Sequence, residues 1–223
     1  MSTPNKNTNT NKSLNREKLI ALYMDYVLEN EKSPRSVYKF CKENKLKEDE
    51  FYNFFGSFES LQKGIWEQFF DHTDKVLKAS PEFSEFTNRE KMLSFYYTFF
   101  EMLSANRSYV LLSLKQYESK LKNLEQLKGL RKRVKNFAQE IIKEENETKN
   151  LKVLKQSEAI FSEAAWIQLM FLLNFWMDDN SAKFESTDVA IEKSVNTVFD
   201  VFDNTPLERV IDFGKFLWKE KMA

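Results

Sequence analysis

Arg35, Lys39 and Lys42 recur at the i, i+4, i+7 spacing that sets side chains along one face of a helix, and Lys45 and Lys47 follow closely. A row of cations like this can meet phosphate oxygens. Ser36, Glu50, Tyr52 and Asn53 lie among them with hydroxyl, carboxylate and amide groups of the kinds that touch phosphates and base edges. The chemistry these nine residues could do together is contact with double-stranded DNA. The same stretch also carries Glu48-Asp49-Glu50, three acids that would repel nearby phosphates. Carboxylates in a first helical turn favour the macrodipole by about 0.3–1 kcal/mol each. That structural use outweighs the sharper reading, in which one of them accepts from cytosine N4.

A second set of residues could hold an apolar molecule. Phe95, Tyr96, Phe99 and Phe100 crowd one segment, and Trp166, Met170 and Phe171 occupy another. Aromatics at helical spacing are mostly core, but these are too many for one face. They suggest a cavity wall suited to an acyl or isoprenoid chain. Catalysis finds no foothold: there is no glycine-rich phosphate loop, no metal-ligand spacing and no nucleophile beside a base. Glu158 and Glu163 read as helix surface. With one Cys (Cys41) and one His (His72) there is neither a disulfide nor a zinc cluster, and no cofactor is expected. Cys41 reads as a small buried residue, which suits a reducing, cytoplasmic setting.

The elements that must position these groups are helices. Gly 4 and Pro 4 in 223 residues leave too few turn formers for a β-rich fold of this size, while Phe 21 supplies a bulky core. Lys+Arg 34 balances Asp+Glu 34, so any attraction for DNA has to be local. Residues 1–14 read as a disordered polar tail and not a secretory signal. Apolar stripes predict helices over Arg16–Glu29, a second opened by Ser33-Pro34, and a third over Lys47–Phe55. Ser57 starts a fourth, with Leu61, Ile65, Phe69, Val76 and Leu77 inward. Ala79-Ser80-Pro81 reads as a break. Further helices follow over Asn88–Ala105, Ser108–Glu118, Leu121–Glu145, Glu158–Met177 and Thr187–Phe202, with Glu144–Asn150 and Asp178–Ser186 as loops. A last helix is announced by Thr205-Pro206. The apolar run Ala164–Met177 is too short for a membrane span and is expected to be a buried helix.

The whole is all-α, about ten helices: a three-helix helix-turn-helix module over 15–60, then a larger C-terminal bundle over 61–223. This arrangement resembles the TetR family of bacterial transcriptional regulators. Phe40-Cys41 stands for the family's apolar-small pair and Leu46 for its turn hydrophobe. Phe51-Tyr52-x-x-Phe55 resembles the end of its recognition helix, and Ser57-x-Glu59-x-Leu61 the start of helix four. The sequence departs from the family pattern at Lys45, which replaces the turn glycine, and at Lys47, which replaces the serine cap. A left-handed backbone is therefore expected at Lys45, at a cost of about 1 kcal/mol. The resemblance implies a homodimer that binds an operator through paired modules and a small apolar effector through its body. Dimer contacts are implied for Ala164–Met177 and Thr187–Phe202. The alternative is a lipid- or isoprenoid-binding protein of the same fold that has lost DNA binding. The charge balance bears on that choice, because the segment from Leu14 to Gly56 holds as many acids as bases.

Overall fold

A computed structural model describes residues 14–115, 120–148 and 157–204. The polar tail and the helix expected from Thr205 lie outside them. The described residues are helical and contain no strand.

Three short helices open the chain: α1 (Arg16–Asn30), α2 (Val37–Glu43) and α3 (Glu48–Tyr52). Asn15 caps α1 by accepting from the Lys18 N–H at 2.7 Å. The cap of α2 is Ser36, not the expected Ser33. Ser33 cannot serve, because its hydroxyl is engaged with the Tyr23 hydroxyl at 2.8 Å and with Gln62 Nε2 at 3.3 Å. Arg35 thus precedes α2 instead of riding on it. The three helices close over edge-on rings: Phe40 lies 5.7 Å from Phe58 and Phe51 lies 5.5 Å from Phe58. The third helix ends at Tyr52, earlier than expected, and Asn53 and Phe54 form a turn.

The long helix α4 (Phe58–Ala79) carries the chain from this module into the body. Ser57 caps it as expected, accepting from the Ser60 N–H at 3.2 Å. Leu61, Ile65 and Phe69 are buried, whereas Val76 faces solvent. A single turn of 3-10 helix at Pro81–Glu85 leads to α5 (Asn88–Ala105) and α6 (Arg107–Leu114). The helix expected over Leu121–Glu145 is broken into α7 (Lys120–Leu124) and α8 (Lys128–Thr148). At the break the Gln126 side chain turns inward. Its Nε2 donates to the Ser113 and Asn123 carbonyls at 3.0 and 2.8 Å, and its Oε1 accepts from Trp66 Nε1 at 2.9 Å. The expected loop from Glu144 is helix through Thr148, with Asn146 buried near its end.

The described chain ends with α9 (Glu158–Asp178) and α10 (Glu185–Asn204). α10 starts two residues earlier than expected, because Asp179 anchors the corner before it. By length and composition α9 could cross a membrane. Its surroundings are those of a bundle: Gln168 Nε2 donates to Ser194 Oγ at 2.9 Å, and the Tyr96 hydroxyl donates to the Ala165 carbonyl at 2.9 Å. Glu163 pairs with Arg131 at 2.9 Å and with Lys135. Contrary to the expectation of a buried helix, α9 leaves one side open.

In the body, Phe95 stacks on Phe99 with centroids 5.7 Å apart and meets Phe137 at 4.9 Å. Phe95, Tyr96 and Phe99 are 0% exposed. Rings this enclosed act as core. Phe95→Ala is expected to cost about 3–5 kcal/mol in urea unfolding, as for a filled core position; a loss under about 1 kcal/mol would mean the ring borders open space.

Candidate nucleic-acid and partner interfaces

Two surfaces gather the residues singled out above. The first lies on the module. The α2–α3 connection is a Schellman turn: the Leu46 N–H donates to the Cys41 carbonyl at 2.8 Å and the Lys45 N–H to the Lys42 carbonyl at 3.3 Å. That pattern needs a left-handed residue at its centre, and Lys45 has φ 59°. The expected strain is present. Lys47 offers no side-chain acceptor to α3, but its backbone N–H donates to Glu50 Oε2 at 2.8 Å. Glu50 thus closes half of a capping box and has structural work of its own. Glu48, Asp49 and Glu50 all lie in the first turn, where the helix dipole favours them.

Arg35, Lys39, Lys42, Lys45 and Lys47 are exposed, and none forms an ion pair with a described residue. Tyr52 and Asn53 are also exposed, at the far end of α3. Ser36 spends its hydroxyl on capping, accepting from the Lys39 N–H at 3.3 Å. Exposed basic side chains therefore run from Arg35, ahead of α2, along Lys39 and Lys42 to Lys45 and Lys47 at the α2–α3 turn, with the acids of α3 beside the turn. Cys41 is buried beneath it. Burial pushes its thiol up, and the Glu48 and Glu50 carboxylates add to the shift.

The second surface is the open side of α9. Ile167, Phe171 and Phe175, one turn apart in succession, are 65%, 54% and 38% exposed. Ile167 and Phe171 border a shallow apolar trough of about 620 Å³ between α9 and α10, whose other wall includes Ala190, Ser194 and Val198. Three large apolar side chains in one row on a water-exposed helix make a candidate interaction surface. Of the aromatics expected to wall a cavity, Phe171 faces this trough. Trp166 and Met170 are half-buried against the core, and Phe100 lies in the core beside Trp176.

Sequence reasoning missed the corner joining α9 to α10. Arg107, the first residue of α6, donates to the Trp176, Met177 and Asp179 carbonyls at 2.8, 3.2 and 3.1 Å. Its guanidinium sits 4.5 Å from both the Trp176 and Phe184 rings. Asp179 accepts from the N–H and hydroxyl groups of both Ser181 and Thr187. The only sequence trace of this clamp is a lone arginine at the head of the apolar run Arg107–Leu114.

Residues 91–217, more than half of the chain, match the family model of the tetracyclin repressor-like C-terminal domain. The chain belongs to the TetR family. The match falls on the body, whereas the sequence resemblance lay in the module, so the two are independent. No curated protein and no solved structure matches this TetR-family chain at a significant level.

Two outcomes follow from the geometry. Lys45→Gly should raise stability by about 1 kcal/mol, read as a higher Tm, by relieving the left-handed backbone. For Asp179, burial pushes the carboxyl up, but the Thr187 and Ser181 hydrogen bonds outweigh it and bring it from 3.8 down to about 2. A depressed carboxylate stabilises the fold above its unfolded value and loses that contribution as pH falls. Asp179→Asn should therefore melt below the wild type at neutral pH. The difference should shrink as pH drops from 3.8 toward about 2.

Proposed function

We propose that the protein is a transcriptional regulator that binds double-stranded DNA as a homodimer. The observation that carries this reading is the run of exposed cations along α2 and its turn into α3, Arg35, Lys39, Lys42, Lys45 and Lys47, none ion-paired with a described residue, on a chain of the TetR family. Cations without internal partners are available for phosphates. The α3 acids fit beside them because Glu50 is held by the Lys47 N–H. In this reading residues 15–60 act as the DNA-contacting module, residues 61–223 form the regulatory body, and Tyr52 and Asn53 approach base edges.

The apolar row on α9 supports the dimer. A second copy laid antiparallel would drop Ile167 and Phe171 into the facing trough, making the self-complementary contact of a two-fold interface. Ala190 and Ser194 are small enough to admit them. A lipid carrier of the same fold gains less support from these aromatics, because Phe95, Tyr96 and Phe99, expected to wall a cavity, are enclosed core residues.

Binding to random-sequence duplex at about 50 mM salt, weakening steeply as salt rises, is the expected outcome. No binding under those conditions would sink the DNA reading. Lys39→Glu together with Lys42→Glu should abolish binding while leaving helicity intact. Phe171→Glu should convert the protein from twice the chain mass to the 26.6 kDa monomer in sedimentation.

A further inference from the structure

A groove of about 480 Å³ runs between α1 and α4 and is closed at one end by Met102 and Asn106, at the α5–α6 corner. Small-molecule sites span about 300–1,000 Å³. The floor is apolar, formed by Ile20, Met24, Ile65 and Phe69, and methionine here and at position 102 can reshape to fit an occupant. In the groove's wall Gln68 holds its Oε1 buried with no hydrogen-bond donor. A buried amide oxygen without a donor is costly and calls for an explanation. Gln68 is itself partly exposed, so a turn of its side chain brings that oxygen into the groove.

The rim is unequal in charge. On the α1 side Glu17 and Asp25 are exposed, and neither is paired with a described cation. On the α4 side stand His72, Lys75 and Asp71, the last held by Arg133 at 2.5 Å. We infer that this groove binds a small hydrophobic amine, with its apolar body over Met24 and Phe69. Its ammonium pairs with Glu17 or Asp25 on the α1 rim, and Gln68, once turned, offers Oε1 as a further acceptor. An acceptor lacking a donor, two unpaired carboxylates and an apolar floor meet in one cleft, and an anion would meet only Lys75 and His72. The occupant would touch α1 of the module and Met102 of the body together, so its binding would bear on how the two are held. The site stands on its own geometry and is independent of whether the module contacts DNA.

The test uses the full chain, without DNA, and dansylcadaverine, a fluorescent naphthyl primary amine. Saturable binding with Kd below about 1 mM is expected. The N-acetylated probe, which keeps the apolar body and loses the charge, should bind at least about fivefold more weakly, as should the charge-neutral variant Glu17→Gln/Asp25→Asn. Ala21→Phe, placed at an exposed position on the groove wall, should abolish binding with circular dichroism unchanged. Gln68→Leu should weaken binding while leaving Tm equal or higher, because it removes the unpaired oxygen. No saturable binding, equal affinity for the acetylated probe, or full affinity in Ala21→Phe would each overturn the proposal.

Discussion

Burial of α4 on two sides at once is the constraint on which the other helices depend. Leu61 and Ile65 serve the module, while Trp66 and Phe70 face the body, and all four are 7% exposed or less. The contact is made close by a glycine. A Cβ on Gly64 would lie 2.6 Å from Arg16 and 2.7 Å from the Phe55 ring, so only glycine lets both cross the helix there. Arg16 then lies 5.1 Å over Phe55 and reaches Glu67 at 3.7 Å, and Glu67 in turn meets Arg133 of α8 at 3.7 Å. These side chains are 31–39% exposed, and ion pairs that wet contribute little, about 0–1 kcal/mol each. What holds the module to α4 is packing, and the Trp66–Gln126 hydrogen bond ties α4 into the body.

The module shows how a local rule can be broken without losing the fold. A Schellman turn asks for glycine at its centre, and a helix start asks for a side-chain acceptor. Lys45 and Lys47 supply neither. The turn survives because both of its backbone hydrogen bonds form and Leu46 anchors beside the core. The helix start survives because Glu50 reaches back. An acidic α3 is thus partly a consequence of the missing cap, and its charge alone is a poor guide to what the module contacts.

Much of this was legible in the sequence. The helical class, the Ser57 cap and the left-handed Lys45 follow from residue type and spacing. Where the reading failed, the deciding contact was distant in sequence. Ser33 and Ser36 are equally good caps until Tyr23 and Gln62 claim the first. The break at Glu125–Leu127 is invisible until Trp66 is known to need an acceptor. Aromatic spacing in α5 cannot say whether a ring fills space or borders it, and Phe137 supplies the answer by packing on Phe95. In α9 the residues are apolar all round, so no stripe marks an inner face. Only the arrival of α8 and α10 decides that Leu169 and Leu172 go in and Ile167 and Phe171 stay out.

The corner at α5–α6 links features that look separate. Met102 and Asn106 close the groove beside α1, and the next residue, Arg107, holds the end of α9 through three carbonyls. Beyond that clamp the chain passes through Lys183 and Phe184, two successive non-glycine residues at φ 55° and 62°, before α10 begins. Such a pair persists only where its surroundings over-determine it. Here Arg107 stacks on Phe184, and Asp179 ties Ser181 to Thr187. The clamp therefore sets where α10 starts against α9, and with it the shape of the apolar trough between them. Asn106, which lines the groove, is joined by one peptide bond to Arg107, which holds the end of α9. The residue next to the groove thus supplies, through a single guanidinium, the hydrogen bonds that the end of α9 would otherwise lack.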